Sequence, residues 1–263
     1  MNEHTIVALL ATQGLGDFLR NALTGLTRVG IDPGIVHVAR PDNAADEIDP
    51  ILAAAGVQAH PFAQIEHAVT GIMPDRYVDY GTEAFIKINW FKIRYLRWLL
   101  GRYDHVVYAD VDVAWLADPL TYLQSVARLF PLVFQSEAVR RFPPVLCWGF
   151  LSATSSATTF RLFDALLQAR DAQPADGLFV NQQEFCDAWI SADPSWLRQI
   201  YQLPEGLFLN GLSYRHLIAD PHASATMLGA LKPFTFHANW TTGLAAKRAL
   251  MRQTGTWLLD GAA

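Results

Sequence analysis

The stretch "HVVYADVDVAWLAD", residues 105–118, decides how the rest of the chain is read. An apolar run reaches Asp110, one valine intervenes, Asp112 follows, and apolar residues resume from Val113 to Leu116. Desolvating one carboxylate is costly, and two like charges side by side cost more. Two arrangements relieve that cost: a cation between the acids, or a strand that ends there and turns them to water. Residues i and i+2 of a strand share a face, so Asp110 and Asp112 converge on one ligand if the strand ends at them. Hard cations such as Mn²⁺ or Mg²⁺ take carboxylate oxygens and leave positions for phosphate oxygens. A bare D-x-D is common by chance. The preceding "HVVYA", the following Trp115 and the Asp118-Pro119 pair make this one more specific.

Outward from that stretch, the pattern predicts an α/β protein. "TIVALLAT" (5–12) has strand length and apolar character, "QGLGD" makes a turn, and "FLRNALTGLTRVG" has helical spacing with Gly30 as a stop. "GIVHVAR" (34–40) is a second strand, so the chain opens β-α-β and an open sheet flanked by helices is expected. Residues 41–56 read as a short helix and 57–82 as loop-rich. "TEAFIKINWFKIRYLRWLLG" (82–101) is the strongest helix, with Phe85, Ile88, Tyr95, Leu96 and Leu99 on one stripe. "PLVFQS", "VLCWGFLSA", "GLFLN" and "FTFHANW" read as strands, and "TTFRLFDALLQAR", "NQQEFCDAWISA" and "LAAKRALMRQTG" as helices. Repeats, low-complexity tracts and linkers are lacking, so residues 1–263 are expected to form one domain.

Composition bounds the function. With 263 residues, 51% of them hydrophobic, the chain can bury a substantial core. A net charge of −5 argues against a general nucleic-acid binder but not against a nucleotide held by a metal and a few lysines. Two cysteines, Cys147 and Cys186, make a disulfide framework improbable and point to a reducing compartment. "MNEHTIVALLATQGLG" has no basic n-region and reads as a buried strand, not a signal peptide. No apolar run is long enough to span a bilayer, so the expectation is a cytoplasmic protein, with peripheral membrane contact open.

Several residues stand out individually. Lys92 falls in the middle of the apolar stripe of residues 82–101, where its ammonium needs an anion or must snorkel to water. Late in the chain, "FTFHANWTTGLAAKRAL" ends a strand at His237, passes Gly243 and reaches Lys247 in a helix. These suit a metal-binding imidazole followed by a loop and a lysine that cradle a diphosphate; each alone is better explained as an ordinary strand-end histidine or a solvated lysine. Gly149 lies inside a strand, a position that permits close approach of a ligand or backbone. Its neighbour Trp148 suits sugar stacking, though a core tryptophan is commoner. In "NQQEFCDAW", Gln182 projects into an apolar stripe and Gln183 onto its border, while Glu184 and Asp187 lie outside it. A buried amide there implies a polar ligand or a backbone partner.

Together these segments resemble nucleotide-diphospho-sugar transferases of the GT-A fold, in particular the branch of plant xylosyl- and arabinosyltransferase-like proteins and their bacterial relatives. The resemblance runs in order through Lys92, "YADVDVAWLADPL", "WGFLSATSSATTFRLFDALL", "VNQQEF", "LPEGLFLNG" and "HANWTTGLAAK", roughly residues 85 to 260. It implies a Rossmann-like, mixed but mostly parallel central sheet. It also implies a retaining glycosyltransferase that moves a hexose or pentose from a nucleoside-diphosphate sugar to a carbohydrate, lipid-linked or protein acceptor. Carried over position by position, Asp110, Asp112 and His237 would hold Mn²⁺ or Mg²⁺. Lys247 and Gly243 would contact the diphosphate, Lys92 and Gly149 would border the donor, and Gln183 would lie near the anomeric carbon. With Glu184 and Asp187 pointing away, same-face attack is favoured over a carboxylate nucleophile. The chain departs from the family pattern at Cys147, where an Asn is usual, at Gln182, where an Asp is usual, and within "LSATSS", where an Arg is usual.

Other classes use parts of the same pattern. Haloacid-dehalogenase-type phosphatases carry D-x-D after an apolar strand, but nearer the N-terminus and with Thr or Val where Ala114 stands. "QGLGDFL" offers G-x-G for a dinucleotide, but Leu19 replaces the third glycine. A non-catalytic sugar-binding module would use the eight Trp and eight Tyr and would not need the acidic pair.

Overall fold

The computed structural model describes residues 4–65, 76–172, 182–219 and 230–261. β1 (Thr5–Leu10) is buried along its whole length, and its alternate residues feed two cores. Val7 and Leu9 join one apolar cluster; Ile6, Ala8 and Leu10 join the other. A strand covered on both faces reads as a continuous apolar run, which is why the first run in the sequence shows no alternation.

The first crossover passes through α1 (Gly16–Arg28) to β2 (Val36–Arg40), and the second through α2 (Ala45–Ala55) to β3 (Gln58–Pro61). The short α3 (Phe62–Ile65) follows. Residues 57–82 were expected to be loop-rich, yet they contain β3 and α3. As an edge strand with Gln58 exposed, β3 carries little apolar signal. α4 (Glu83–Leu100) starts at Thr82, whose hydroxyl accepts from Phe85 N at 3.1 Å, and leads to β4 (His105–Asp110).

The acidic stretch is not one strand. β4 stops at Asp110, Val111 and Asp112 turn, and β5 (Val113–Trp115) begins a different sheet. The carboxylates therefore converge through a turn, not through alternation along a strand. Ala238 N donates to Asp112 O at 3.0 Å and ties that turn to the end of a later strand.

α5 (Leu120–Ala127), β6 (Leu132–Ser136), β7 (Leu146–Thr154) and α6 (Ala157–Asp171) follow. Next come α7 (Gln182–Ala192), β8 (Ile200–Leu203), β9 (Phe208–Asn210), α8 (Gly211–Ala219), β10 (Thr235–His237) and α9 (Leu244–Gln253). Asn181 of the expected "NQQ" segment lies outside the described residues.

The main sheet has the order β3-β2-β1-β4-β7-β6-β8, and every neighbouring pair is parallel except those made by β7. β7 runs backwards, so its first residues meet the carboxyl ends of the parallel strands, where ligands bind in open α/β sheets. A second sheet, β5-β10-β9, holds β10 in its middle, antiparallel to β5 and parallel to β9. One core lies between the main sheet, α1, α2 and the small sheet; the other lies beneath α4, α6 and α7.

Candidate active site

Asp110 is the last residue of β4, and Tyr108 two residues earlier donates its hydroxyl to Asp110 Oδ1 at 2.7 Å. On the buried face of α4, Lys92 is only 4% exposed. Its Nζ lies 2.8 Å from Asp110 Oδ1 and donates to Trp148 O at 3.3 Å. The stripe position of this lysine is thus explained by an anion, not by snorkelling.

Asp112 is buried beside two groups from the far end of the chain. His237 closes β10, which pairs His237 with Val113, and its Nε2 lies 3.3 Å from Asp112 Oδ1. Lys247, in the first turns of α9, donates from Nζ to Asp112 Oδ2. Burial alone would raise the Asp112 pKa, but the Lys247 ammonium and His237 outweigh it and hold the carboxyl far below the usual carboxylate range. Burial pulls Lys247 down, and the Asp112 carboxylate more than restores it, so its pKa is raised.

One oxygen or nitrogen from each of Asp110, Asp112 and His237 lies within 4.8 Å of the others. The residues around them fit a cation. Gln135 Oε1 meets His237 Nδ1 at 2.9 Å, while Gln135 Nε2 donates to Phe208 O and Leu209 O, each at 3.1 Å. Those carbonyls fix the amide so that its oxygen faces the imidazole. Nδ1 then carries the hydrogen, and the Nε2 lone pair points at a carboxylate, which calls for a cation or a proton between them. Two carboxylates and an imidazole form a mixed O/N donor set suited to Mn²⁺.

Gly149 completes the cradle. The register between β6 and β7 shifts at Phe134/Gln135, and Gly149 lies within the bulge. A Cβ on it would lie 2.4 Å from His237 Cε1 and 2.6 Å from Asp110 Oδ2, so no side chain fits while both remain in place. Trp148 packs edge-on against Phe134 and Phe163 and belongs to the core.

A cavity of about 110 Å³ opens beside the carboxylates, lined among others by Leu15, Tyr77, Asn89, Lys92, Asp112 and Lys247. Gly243 caps α9 at φ +87°, a left-handed conformation that glycine adopts without strain. Gln183 stands apart from the cluster. Its Oε1 accepts from Leu146 N at 3.3 Å, and its Nε2 donates to Asp187 Oδ1 at 2.6 Å. Asp187 is also held by Arg141. Gln182 Oε1 is buried without a hydrogen-bond partner among the described residues.

Sequence reasoning missed Gln135 and Tyr108. A glutamine in the otherwise apolar "PLVFQS" was the available signal, since a buried amide demands partners. Tyr108 sits inside an apolar run and gave none.

Residues 64–251 match the family model for nucleotide-diphospho-sugar transferases. The chain belongs to that family. No curated protein sequence matches it. Among solved structures, it resembles mouse xyloside xylosyltransferase 1 in its apo form, with a TM-score of 0.59 at 11% identity over 90% of this chain and 98% of that one. A glycosyltransferase involved in glycosylating the major capsid of PBCV-1 superposes with a TM-score of 0.52 at 9% identity, over 95% of this chain and 98% of that one. An active-site mutant of LgtC gives 0.52 at 12% identity, over 95% of both chains. These neighbours share the GT-A fold, so the expected mixed, mostly parallel sheet is borne out. The phosphatase and dinucleotide readings find no support in the family match. No helix among the described residues is long and apolar enough to cross a membrane.

Proposed function

We propose that the protein is a metal-dependent glycosyltransferase that moves a sugar from a nucleoside-diphosphate sugar to a hydroxyl acceptor, with retention. The observation that carries this reading is the meeting of Asp110, Asp112 and His237 within 4.8 Å, between the buried ammonium of Lys92 and the half-buried Lys247. Asp110, Asp112 and His237 would hold Mn²⁺ or Mg²⁺, which supplies electrostatic stabilisation to a departing diphosphate. The nucleotide would enter by the neighbouring cavity, whose walls would have to widen around it. Lys247 then exchanges part of its contact with Asp112 for phosphate oxygens and neutralises the leaving group. Lys92 orients Asp110 from α4.

In the transfer, the bond from the anomeric carbon to the diphosphate oxygen breaks. A bond to the acceptor oxygen forms on the same face, and the acceptor's proton passes to the departing phosphate oxygen. Retention by this route needs no carboxylate nucleophile. Asp187, engaged by Arg141 and Gln183, is poorly disposed to serve as one. Gln183 is the side chain assigned to the sugar's vicinity; reaching the anomeric carbon requires it to leave Leu146 N.

Thermal unfolding with a panel of nucleoside diphosphates tests the reading. A melting temperature that rises with one diphosphate in Mn²⁺, and loses that rise in EDTA or in Asp112→Ala, is the expected result. Absence of a shift with every diphosphate, with and without metal, would overturn it.

A further inference from the structure

Past His237 the chain continues through Ala238 and Asn239 to Trp240, which is 47% exposed. Its backbone lies at φ +57°, a left-handed conformation that strains a bulky residue. Such a conformation persists where its surroundings over-determine it, and here they do. The indole Nε1 donates to Glu137 Oε2 at 2.6 Å, and the Trp240 carbonyl accepts from Arg215 at 2.6 Å. Asn239 Nδ2 donates to the same Glu137 oxygen at 3.0 Å, while its Oδ1 accepts from Gly211 N at 2.9 Å. These contacts grip the nitrogen edge of the ring and the backbone beside it. No aromatic or cationic partner takes the ring face among the described residues.

The place of this ring is informative. The cavity is bounded by Lys92, Asp110, Asp112 and Lys247. His237 reaches Asp112 from β10, and Cys147 Sγ lies 3.6 Å from His237 Nδ1. Asn239 Nδ2 lies 3.8 Å from that sulfur, and Glu137 and Trp240 come next. None of His237, Cys147, Asn239, Glu137 or Trp240 lines the cavity. Trp240 is therefore linked to the metal-ligating residues through Cys147, Asn239 and Glu137 while lying outside the cavity lining, so the exposed ring is left for a ligand other than the one that fills the cavity. The charged group on the ring edge is the Glu137 carboxylate, and Arg215 is held by the Trp240 carbonyl and Thr241 Oγ1. That environment suits an uncharged ring better than a phosphate.

We propose that Trp240, oriented by Glu137, is the platform on which the sugar ring of a carbohydrate acceptor stacks. The inference rests on the transferase reading above and assigns its acceptor class. A sugar ring presents C–H groups on one face while its hydroxyls stay hydrated. A rigid aromatic buries that face at small entropic cost.

The test compares wild type, Trp240→Ala and Trp240→Phe. p-Nitrophenyl α- and β-glycosides of xylose, glucose, galactose and mannose are the acceptors, and the donors are the hexose and pentose conjugates of the nucleoside diphosphate that gives the shift. The expected result is transfer by wild type to at least one glycoside. Its KM should rise about tenfold in Trp240→Ala and be partly restored in Trp240→Phe, while the Mn²⁺–diphosphate thermal shift persists in both variants. An unchanged acceptor KM in Trp240→Ala, a lost diphosphate shift in that variant, or transfer by wild type to none of the glycosides would each overturn the platform. A wild-type protein without a diphosphate shift would instead sink the transferase reading beneath it.

Discussion

Gln135 shows how a residue remote from any substrate governs the site. Its carbonyl oxygen holds the hydrogen on His237 Nδ1 and leaves Nε2 facing the carboxylates. Gln135→Leu removes that partner and lets the imidazole rotate or change tautomer. Outer partners of metal-binding histidines are worth about 10–100-fold in metal affinity. The Mn²⁺ concentration giving half of the diphosphate thermal shift should rise by about that factor, and the metal-free protein should melt lower because Phe208 O, Leu209 O and His237 Nδ1 lose a buried partner. An unaltered Mn²⁺ requirement would mean that His237 does not ligate. Asp110 and Asp112 stood out because two carboxylates at the end of an apolar run demand a reason; His237 alone read as an ordinary strand-end histidine and joined the ligand set through the resemblance. Gln183 was legible only by resemblance, and its present partners are Leu146 and Asp187.

At the level of elements, the helices and inner strands followed from periodicity and the irregular parts did not. α4 was readable because eighteen residues of consistent spacing sit between a Thr cap and a Gly stop. β3 was not, because an edge strand has one neighbour and few buried residues. The split of the acidic stretch into β4 and β5 was half legible: the acids marked an end, but nothing in the pattern said that Val113–Trp115 pairs with the distant Thr235–His237. Caps carry local stability independent of the site. The Ser156 hydroxyl accepts from Thr159 N at 3.2 Å and starts α6, away from the carboxylates. Ser156→Ala should destabilise the fold by about 1 kcal/mol in urea unfolding. The diphosphate shift should survive; its loss would show that α6 communicates with the site.

Over the whole molecule, buried histidines set the acid limit. Burial lowers His105 to about 4, and burial reinforced by neighbouring His60 lowers His37 to about 4. The ordinary histidine value is 6.5, so between pH 6.5 and 4 the unfolded chain binds more protons than the folded one. Stability therefore falls as pH drops through that window, by up to about 3 kcal/mol for His105 alone. Asp112 acts at lower pH: its stabilisation is present above the unfolded carboxylate value and is lost only as pH falls toward its depressed folded one. Urea midpoints of the metal-free protein from pH 7 to 4.5 should decline, and His105→Gln should flatten the decline; a flat wild-type profile would refute the buried neutral state. The middle position of β10 in the small sheet has a consequence for how the molecule is made. β5 and β9 are synthesised well before β10, yet each finds its partner only when residues 235–237 slot between them. Such distant closure is slow to form. The nascent chain therefore holds Asp110 and Asp112 well before it gains His237 and Lys247, and the cluster around the carboxylates closes only once β10 and α9 have been made.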